Sequence, residues 1–323
     1  MPPLDFAALM KAERARARGG VAPAADTPPV APTAEQQRKP TAVAAASSAA
    51  LSFRLAGSAR PTIGPESLVR AAPESVWHVP NWVSEKEEEE LLRCADLSPE
   101  DRWTVLRGRR LQNLGGLPRP LPEGMAPEAL PGWVSSVCDA LVRGGVFSAE
   151  APPNHVLLNE YQPGQGIDAH RDGPLYEPRV AILSLGSSCS FDFVRNDETR
   201  APVASLLLPP RGLLVFTADA YDTVLHTVPA LPTDAGRPNL VRLDLAPGIA
   251  GPDEAAAAAA TPPPPRARRV SLTVRRVLHV QIAEQIERLE GRPWEQRSAG
   301  EYQAALGLWL GERLAADEGQ ALG

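Results

Sequence analysis

After residue 150 the chain is written in short, β-branched-rich runs, and nothing of helical period separates them. NHVLLNEY, RVAILSLG, CSFDFV, VASLLL, GLLVFT, NLVRLDL and RRVSLTVRR are parted by Gly, Pro and Asp turns. A parallel sheet needs a long crossover between strands, usually a helix, so this pattern disfavours one. Seven or eight such strands preceded by two helices predict an α+β protein. Its expected core is a double-stranded β-helix, or jelly roll, with flanking N-terminal helices. VWHVPNWV from Val76 reads as the first strand. Ser84 and Glu87 then form a capping box, and a helix is expected to about Ala95. In PGWVSSVCDALVRGG, Trp133, Val137 and Leu141 recur at i+4, and Gly144-Gly145 stop a second helix.

The flanks differ from this core. Residues 1–73 are Ala/Pro/Ser-rich with little to bury and are expected to be disordered, except for DFAALMKAERARAR at 5–18, a short helix candidate. Residues 74–280 are the expected folded domain. A low-complexity insert at 248–266 separates its last two strands. Residues 281–323 return to helical spacing, with Ile282, Ile286 and Leu289 on one face and Tyr302, Leu306, Trp309 and Leu310 on another. The C-terminal helical extension is expected to cover apolar surface of the domain, and it and the 5–18 helix are the candidate docking segments for a protein partner. A frayed helix without a role, or an organellar targeting peptide, are the alternatives for 5–18.

Charge and cysteine content narrow the function. Lys and Arg number 33 against 39 Asp and Glu, a net charge of −6, which excludes a broadly basic nucleic-acid coat. One stretch breaks the trend: residues 101–120 carry five Arg and a single Asp. Its Gly and Pro content reads as a mobile basic loop, fit for phosphates and bases. Three cysteines, Cys94, Cys138 and Cys189, are too few and scattered for a disulfide framework or a thiolate zinc site. A reducing compartment follows, with nucleus and/or cytoplasm as the expected location. No apolar run approaches the roughly 18 residues that a membrane span needs.

The chemistry is carried by His170-Arg171-Asp172. In extended chain, residues two apart point to one side, so an imidazole and a carboxylate are aimed together from a strand end. His226 in DTVLHTVP is the third ligand candidate, at another strand end. Two His and one carboxylate on one face of a metal suit non-haem Fe(II) and O2 activation. His78, His155 and His279 read as structural. The run Arg269 to Arg275, RVSLTVR, places Arg269, Ser271, Thr273 and Arg275 on one strand face and Val270, Leu272 and Val274 on the other. Inside a closed jelly roll, two such guanidiniums need anionic partners, and a dicarboxylate co-substrate supplies them.

With these residues in view, the chain resembles the AlkB family of Fe(II)/2-oxoglutarate dioxygenases, and within it the sixth eukaryotic branch. The segments HVPNWVSEKEEEELLR, GRRLQNLGG, NHVLLNEYQPGQGI, DGPLYEP, ILSLGSS and SLLLPPRGLLVF extend the resemblance from about Val76 to Val277. It implies Fe(II), 2-oxoglutarate and O2 as cofactor and co-substrates, and His170, Asp172 and His226 as iron ligands. It also implies Arg269 on the distal carboxylate of 2-oxoglutarate, Arg275 nearer the metal, and Asn159 and Tyr161 hydrogen-bonding the co-substrate. Ser271 stands where bacterial members carry Asn. Arg107, Arg109, Arg110, Gln112 and Asn113 match a flexible lid over the substrate nucleotide. The implied activity is oxidative demethylation of an N-alkylated base in RNA or DNA. A protein or small-molecule oxygenase and a nucleic-acid reader with weak turnover are the alternatives.

Overall fold

The structure, a computed structural model, describes residues 53–57, 60–121, 123–245 and 262–281. The 5–18 helix and the residues 282–323 of the C-terminal extension lie outside the described residues.

Two sheets face each other. The larger has seven strands in the order β1 (Val76–Val79), β11 (Leu213–Thr217), β8 (Arg179–Leu185), β14 (Arg269–Arg275), β6 (His155–Tyr161), β3 (Arg110–Leu114) and β2 (Thr104–Val105). The smaller has five: β13 (Leu240–Arg242), β10 (Pro202–Leu208), β9 (Cys189–Arg195), β12 (Val224–Val228) and β7 (Ile167–His170). All neighbours are antiparallel except β10 and β13. A separate hairpin pairs β4 (Gly116–Pro118) with β5 (Met125–Pro127).

Strict alternation divides the large sheet between two cores. Leu213, Val215, Ala181, Leu183, Leu185, Val270, Leu272, Val274, Val156 and Leu158 point to one side. There they pack against helices α1 (Glu85–Asp96) and α2 (Gly132–Arg143) through Leu91, Cys94, Trp133, Val137 and Leu141. Leu214, Phe216, Val180, Ile182 and Leu157 point the other way and meet Phe191, Phe193, Leu206 and Leu208 of the small sheet. Each Val, Leu, Ile or Phe among them contributes about 1.5–3 kcal/mol when fully buried. The Ser84–Glu87 capping box closes the start of α1, and Gly144 caps α2. A one-turn helix α3 (Ala218–Asp222) joins β11 to β12.

The folded unit begins earlier than residue 74. Leu55 is buried in the helix-side core, Phe53 and Ile63 pack on it, and Arg60 pairs with Glu87. Phe53 and Leu55 lie in the short alternating run LSFRL within an Ala/Pro/Ser background, too short to mark a folded segment. The insert is also shorter than 248–266. Its residues 248–261 lie outside the described ones, but Arg266 is buried and ion-paired to Asp234 at 2.7 Å, and it also donates to Ser190 and Pro229. Among the described residues, no helix is long and apolar enough to cross a membrane.

Candidate metal and co-substrate site

A cavity lies between the sheets, and polar positions of four strands, with Asp172 just beyond the end of β7, converge on it. His170, Asp172, His226, Arg269, Arg275, Asn159, Tyr161 and Ser271 all line it, with Thr273 on the same strand face. The alternation of β14 explains this: its valines and leucine belong to the helix-side core, which turns both arginines inward. Leu157, Ile167, Ile182, Phe191 and Val228 supply the apolar walls. Sequence spacing does not announce those five as site residues, since they are ordinary sheet hydrophobes.

His170 ends β7 and faces His226 across the ladder. His226 is the third residue of β12, in the middle of that strand rather than at its end. The ring centroids are 4.3 Å apart, and His226 stacks on Phe191 at 5.6 Å. One ligand atom from each of His170, Asp172 and His226 lies within 4.8 Å of the others, and all three residues are buried. His170 Nδ1 sits 2.8 Å from the Asp168 carbonyl oxygen. A carbonyl only accepts, so Nδ1 carries the proton and Nε2 keeps the lone pair. Burial holds both imidazoles below their usual range. His170 lies well below it, helped by the neighbouring imidazole, Arg109 and Arg275. Neutral imidazole is the form that binds a metal.

Arg275 is fully buried and donates to Asp172 Oδ1. The ring of Tyr176 lies 4.1 Å from its guanidinium carbon. Tyr176 comes from the segment just after the HxD tripeptide and was missed as a site residue; its proximity in sequence was the one signal. At the other end, Arg269 donates to Ser184 Oγ at 2.8 Å and stands over the Tyr161 ring at 5.6 Å.

Two polar atoms test what the cavity can take. Asp172 Oδ2 and Arg269 Nε are both buried and meet no hydrogen-bond partner. A carboxylate oxygen left over beside two neutral imidazoles is the donor set of a divalent iron. A guanidinium N–H left over at the far end suits a carboxylate. The residues therefore fit both Fe(II) and 2-oxoglutarate.

The basic stretch is not the loop that its composition suggests. Residues 110–114 form β3, inside the large sheet, and Arg109 and Gln112 are 1% and 2% exposed. Arg110 makes two bonds to Glu160, at 3.1 and 3.0 Å, and stacks on Trp103 at 4.2 Å. Asn113 Oδ1 meets His155 Nε2 at 3.1 Å. Of the five lid candidates, Arg107 alone is exposed. Glycine here marks tight packing. A Cβ on Gly108, for example, would come 2.5 Å from the Gly166 carbonyl oxygen.

Comparison with known proteins gives the family. Residues 120–275 match the 2OG-Fe(II) oxygenase superfamily. The chain is 38% identical over 220 residues to a Danio rerio protein named "Probable RNA/DNA demethylase ALKBH6", covering 65% of this chain and 88% of that one. The chain belongs to the AlkB-like 2OG-Fe(II) oxygenases. It is a dioxygenase, an oxidoreductase that uses Fe(II), 2-oxoglutarate and O2. A Macaca fascicularis relative, "tRNA (carboxymethyluridine(34)-5-O)-methyltransferase ALKBH8", is 31% identical over 174 residues, 49% of this chain and 25% of that one. Among solved structures, OsALKBH1 overlays with a TM-score of 0.42 at 16% identity, covering 62% of this chain and 98% of that one.

Proposed function

We propose that this oxygenase removes methyl groups from N-methylated bases in RNA or DNA, on a jelly-roll core. The observation that carries the reading is the likeness to the Danio rerio protein, which spans most of that protein's length. His170, Asp172 and His226 would hold the iron. Arg269 would grip the distal carboxylate of 2-oxoglutarate. Asn159 and Tyr161 would hydrogen-bond the same molecule, and Arg275 would neutralise and orient Asp172.

Iron, 2-oxoglutarate and O2 together supply an oxidation that releases succinate and CO2 and leaves one oxygen atom on a substrate carbon. On an N-methyl group the product is N–CH2–OH, which loses formaldehyde and leaves N–H. The chain's task is to admit one base and exclude bulk water. A cavity lined by buried residues requires that the base leave its stack, which costs least in a single strand. The exposed Arg107 is placed on the turn before β3, where it can meet a phosphate.

The test is incubation of the iron-loaded chain with bulk RNA and bulk DNA, followed by mass spectrometry of the nucleosides. One methylated nucleoside should fall in step with formaldehyde and succinate release. If nucleic acid changes neither succinate release nor any nucleoside, the substrate is of another class.

A further inference from the structure

Arg109 belongs to the stretch that sequence assigns to the substrate lid, yet it lies on the opposite side of the problem. It is 1% exposed, and its Nε donates to Asn159 Oδ1 at 3.1 Å. Register explains why. Leu111 opposes Asn159 on β6, so Leu111 and Arg109, two residues before it, point to the cavity side. Backbone holds the turn in place: Leu106 N–H donates to Arg109 O at 2.8 Å, and Gly166 N–H donates to Gly108 O at 3.0 Å. The turn over 106–109 is thereby pressed onto the turn that follows β6.

A guanidinium has donors and no acceptor, whereas a carboxamide has both. Arg109 and Asn159 can pair in one orientation only, with Oδ1 toward the arginine. The amide nitrogen must then face the other way. It reaches the Leu157 carbonyl oxygen at 3.5 Å, a long contact, and Asn159 lines the cavity. An NH2 group carries two N–H bonds, so one is left for a ligand there.

We propose that Arg109 is a positioning residue for the co-substrate: it locks the Asn159 amide so that its NH2 donates into the cavity, toward an anionic oxygen of 2-oxoglutarate. Without that lock the amide can turn over and offer a carbonyl oxygen to a carboxylate. Arg109 thus serves the co-substrate through Asn159 and does not touch nucleic acid. The proposal rests on reading the cavity as the 2-oxoglutarate pocket.

The experiment titrates 2-oxoglutarate into the full chain by calorimetry, with Mn(II) in place of Fe(II) and no nucleic acid. Arg109→Met should weaken 2-oxoglutarate binding about tenfold, the loss of one hydrogen bond to a charged group. Its Mn(II) affinity should be unchanged. Asn159→Asp keeps a partner for Arg109 but has no donor for the cavity, and should lose at least as much. In an Asn159→Ala background, Arg109→Met should add less than twofold, because the arginine then has no amide to orient. A tenfold loss persisting in that background would mean that Arg109 acts by charge alone and would overturn the proposal. So would wild-type binding by Asn159→Asp, which stands as the deciding variant should Arg109→Met not fold. Unchanged 2-oxoglutarate binding with weakened binding of single-stranded RNA would return Arg109 to the substrate. If the wild-type chain itself fails to bind 2-oxoglutarate, the pocket reading falls instead.

Discussion

Strands β14 and β3 flank β6 on its two sides, and both bring arginines to the same sheet. They use them differently. On β14, Arg269 opposes Tyr161 and Ser271 opposes Asn159, so the polar face of β14 joins the cavity face of β6. On β3, Arg110 opposes Glu160 and Gln112 opposes Leu158, so these side chains join the face turned toward the helices. Residues directly opposite in a ladder share a face, and parity therefore decides the role. An arginine of β14, at the parity of Asn159, faces the cavity. An arginine at the parity of Glu160 is consumed by structure. Glu160 takes both Arg110 and Arg268, at 3.0 and 2.8 Å, and closes a network that also includes Asp96.

Removing one charge from the cavity side breaks this comparison most severely. Asp172→Ala deletes a candidate iron ligand and strips Arg275 of its carboxylate. Leaving one member of a buried ion pair alone costs about 3–5 kcal/mol. The variant should bind no iron, release no succinate, and melt well below wild type even without metal. His226→Ala should lose iron and turnover as completely, yet its metal-free melting should stay closer to wild type, since no buried charge is orphaned. Thermal melts of the metal-free proteins beside iron titrations check both. Equal melting of the two variants would mean that the Arg275–Asp172 pair does not stabilise the fold.

Arg269 gives the next effect. Its Nη2 keeps Ser184 as a partner, while Nε awaits one. Arg269→Ala should raise the requirement for 2-oxoglutarate by about 10- to 100-fold, from the loss of charge-assisted hydrogen bonds worth about 1.5–3 kcal/mol. Iron affinity should hold. Glu160→Gln, at the other parity of β6, should lower stability and leave the 2-oxoglutarate requirement alone. Decarboxylation measured against 2-oxoglutarate concentration, with melts in parallel, separates the two.

How much of this was legible beforehand follows from the same parity. In β14 the apolar residues occupy every second position without a break, so a shared face for Arg269, Ser271, Thr273 and Arg275 could be read from the sequence, while its turn toward the cavity rests on the second sheet that covers it. The HxD tripeptide carried its own spacing, and only the pairing of β12 with β7 was needed to bring His226 to it. The capping box at Ser84 was equally local. In β3 the order Arg-Leu-Gln-Asn-Leu has no such alternation, because both of its faces are buried and polar side chains on each find partners 40 to 50 residues away. A side chain's long-range partner is not written beside it. Arginine therefore marked the need for an anion in both strands, but the sequence around β3 could not say whether protein or ligand supplied it. Leu55 and Arg266 were missed for the same reason: each gains its place from distant residues.

A pH titration sharpens the contact between β3 and β6. Burial, aided by Arg275, holds His155 well below the usual imidazole range. The folded protein then refuses a proton that the unfolded chain accepts near pH 6.5. Stability is complete above that value and is lost as pH falls below it, by up to about 1.4 kcal/mol per pH unit for one imidazole. His78, pushed down to about 4 by burial, acts in the same direction, and its share ends near that pH. His155→Gln keeps a donor for Asn113 and should flatten the stability profile between pH 6.5 and 5. Denaturant titrations at each pH would show it. An unchanged slope would mean that His155 protonates in the folded state as readily as in the unfolded chain.

The smallest effect is the most telling for substrate, because it separates neighbours on the chain. Arg107 is exposed on the turn before β3, whereas Arg110, three residues later, is bound to Glu160 and stacked on Trp103. If composition governed function, replacing either should weaken nucleic-acid binding alike. If parity and burial govern it, the two should divide. Arg107→Ala should leave melting within about 0.5 kcal/mol of wild type, as exposed substitutions usually do. It should weaken single-stranded RNA binding a few-fold and lower the log–log salt slope by roughly 0.7, the share of one phosphate contact on a single strand. Arg110→Ala should do the reverse, because it strips Glu160 of a bidentate partner: stability falls and the salt slope holds. Binding isotherms from 50 to 200 mM salt, with melts of both variants, decide between these patterns. A slope that drops for Arg110→Ala and not for Arg107→Ala would mean that the Glu160 pair opens when nucleic acid arrives. Arg110 of β3 would then be shared between fold and substrate, and parity alone would no longer predict which arginines are open to ligand.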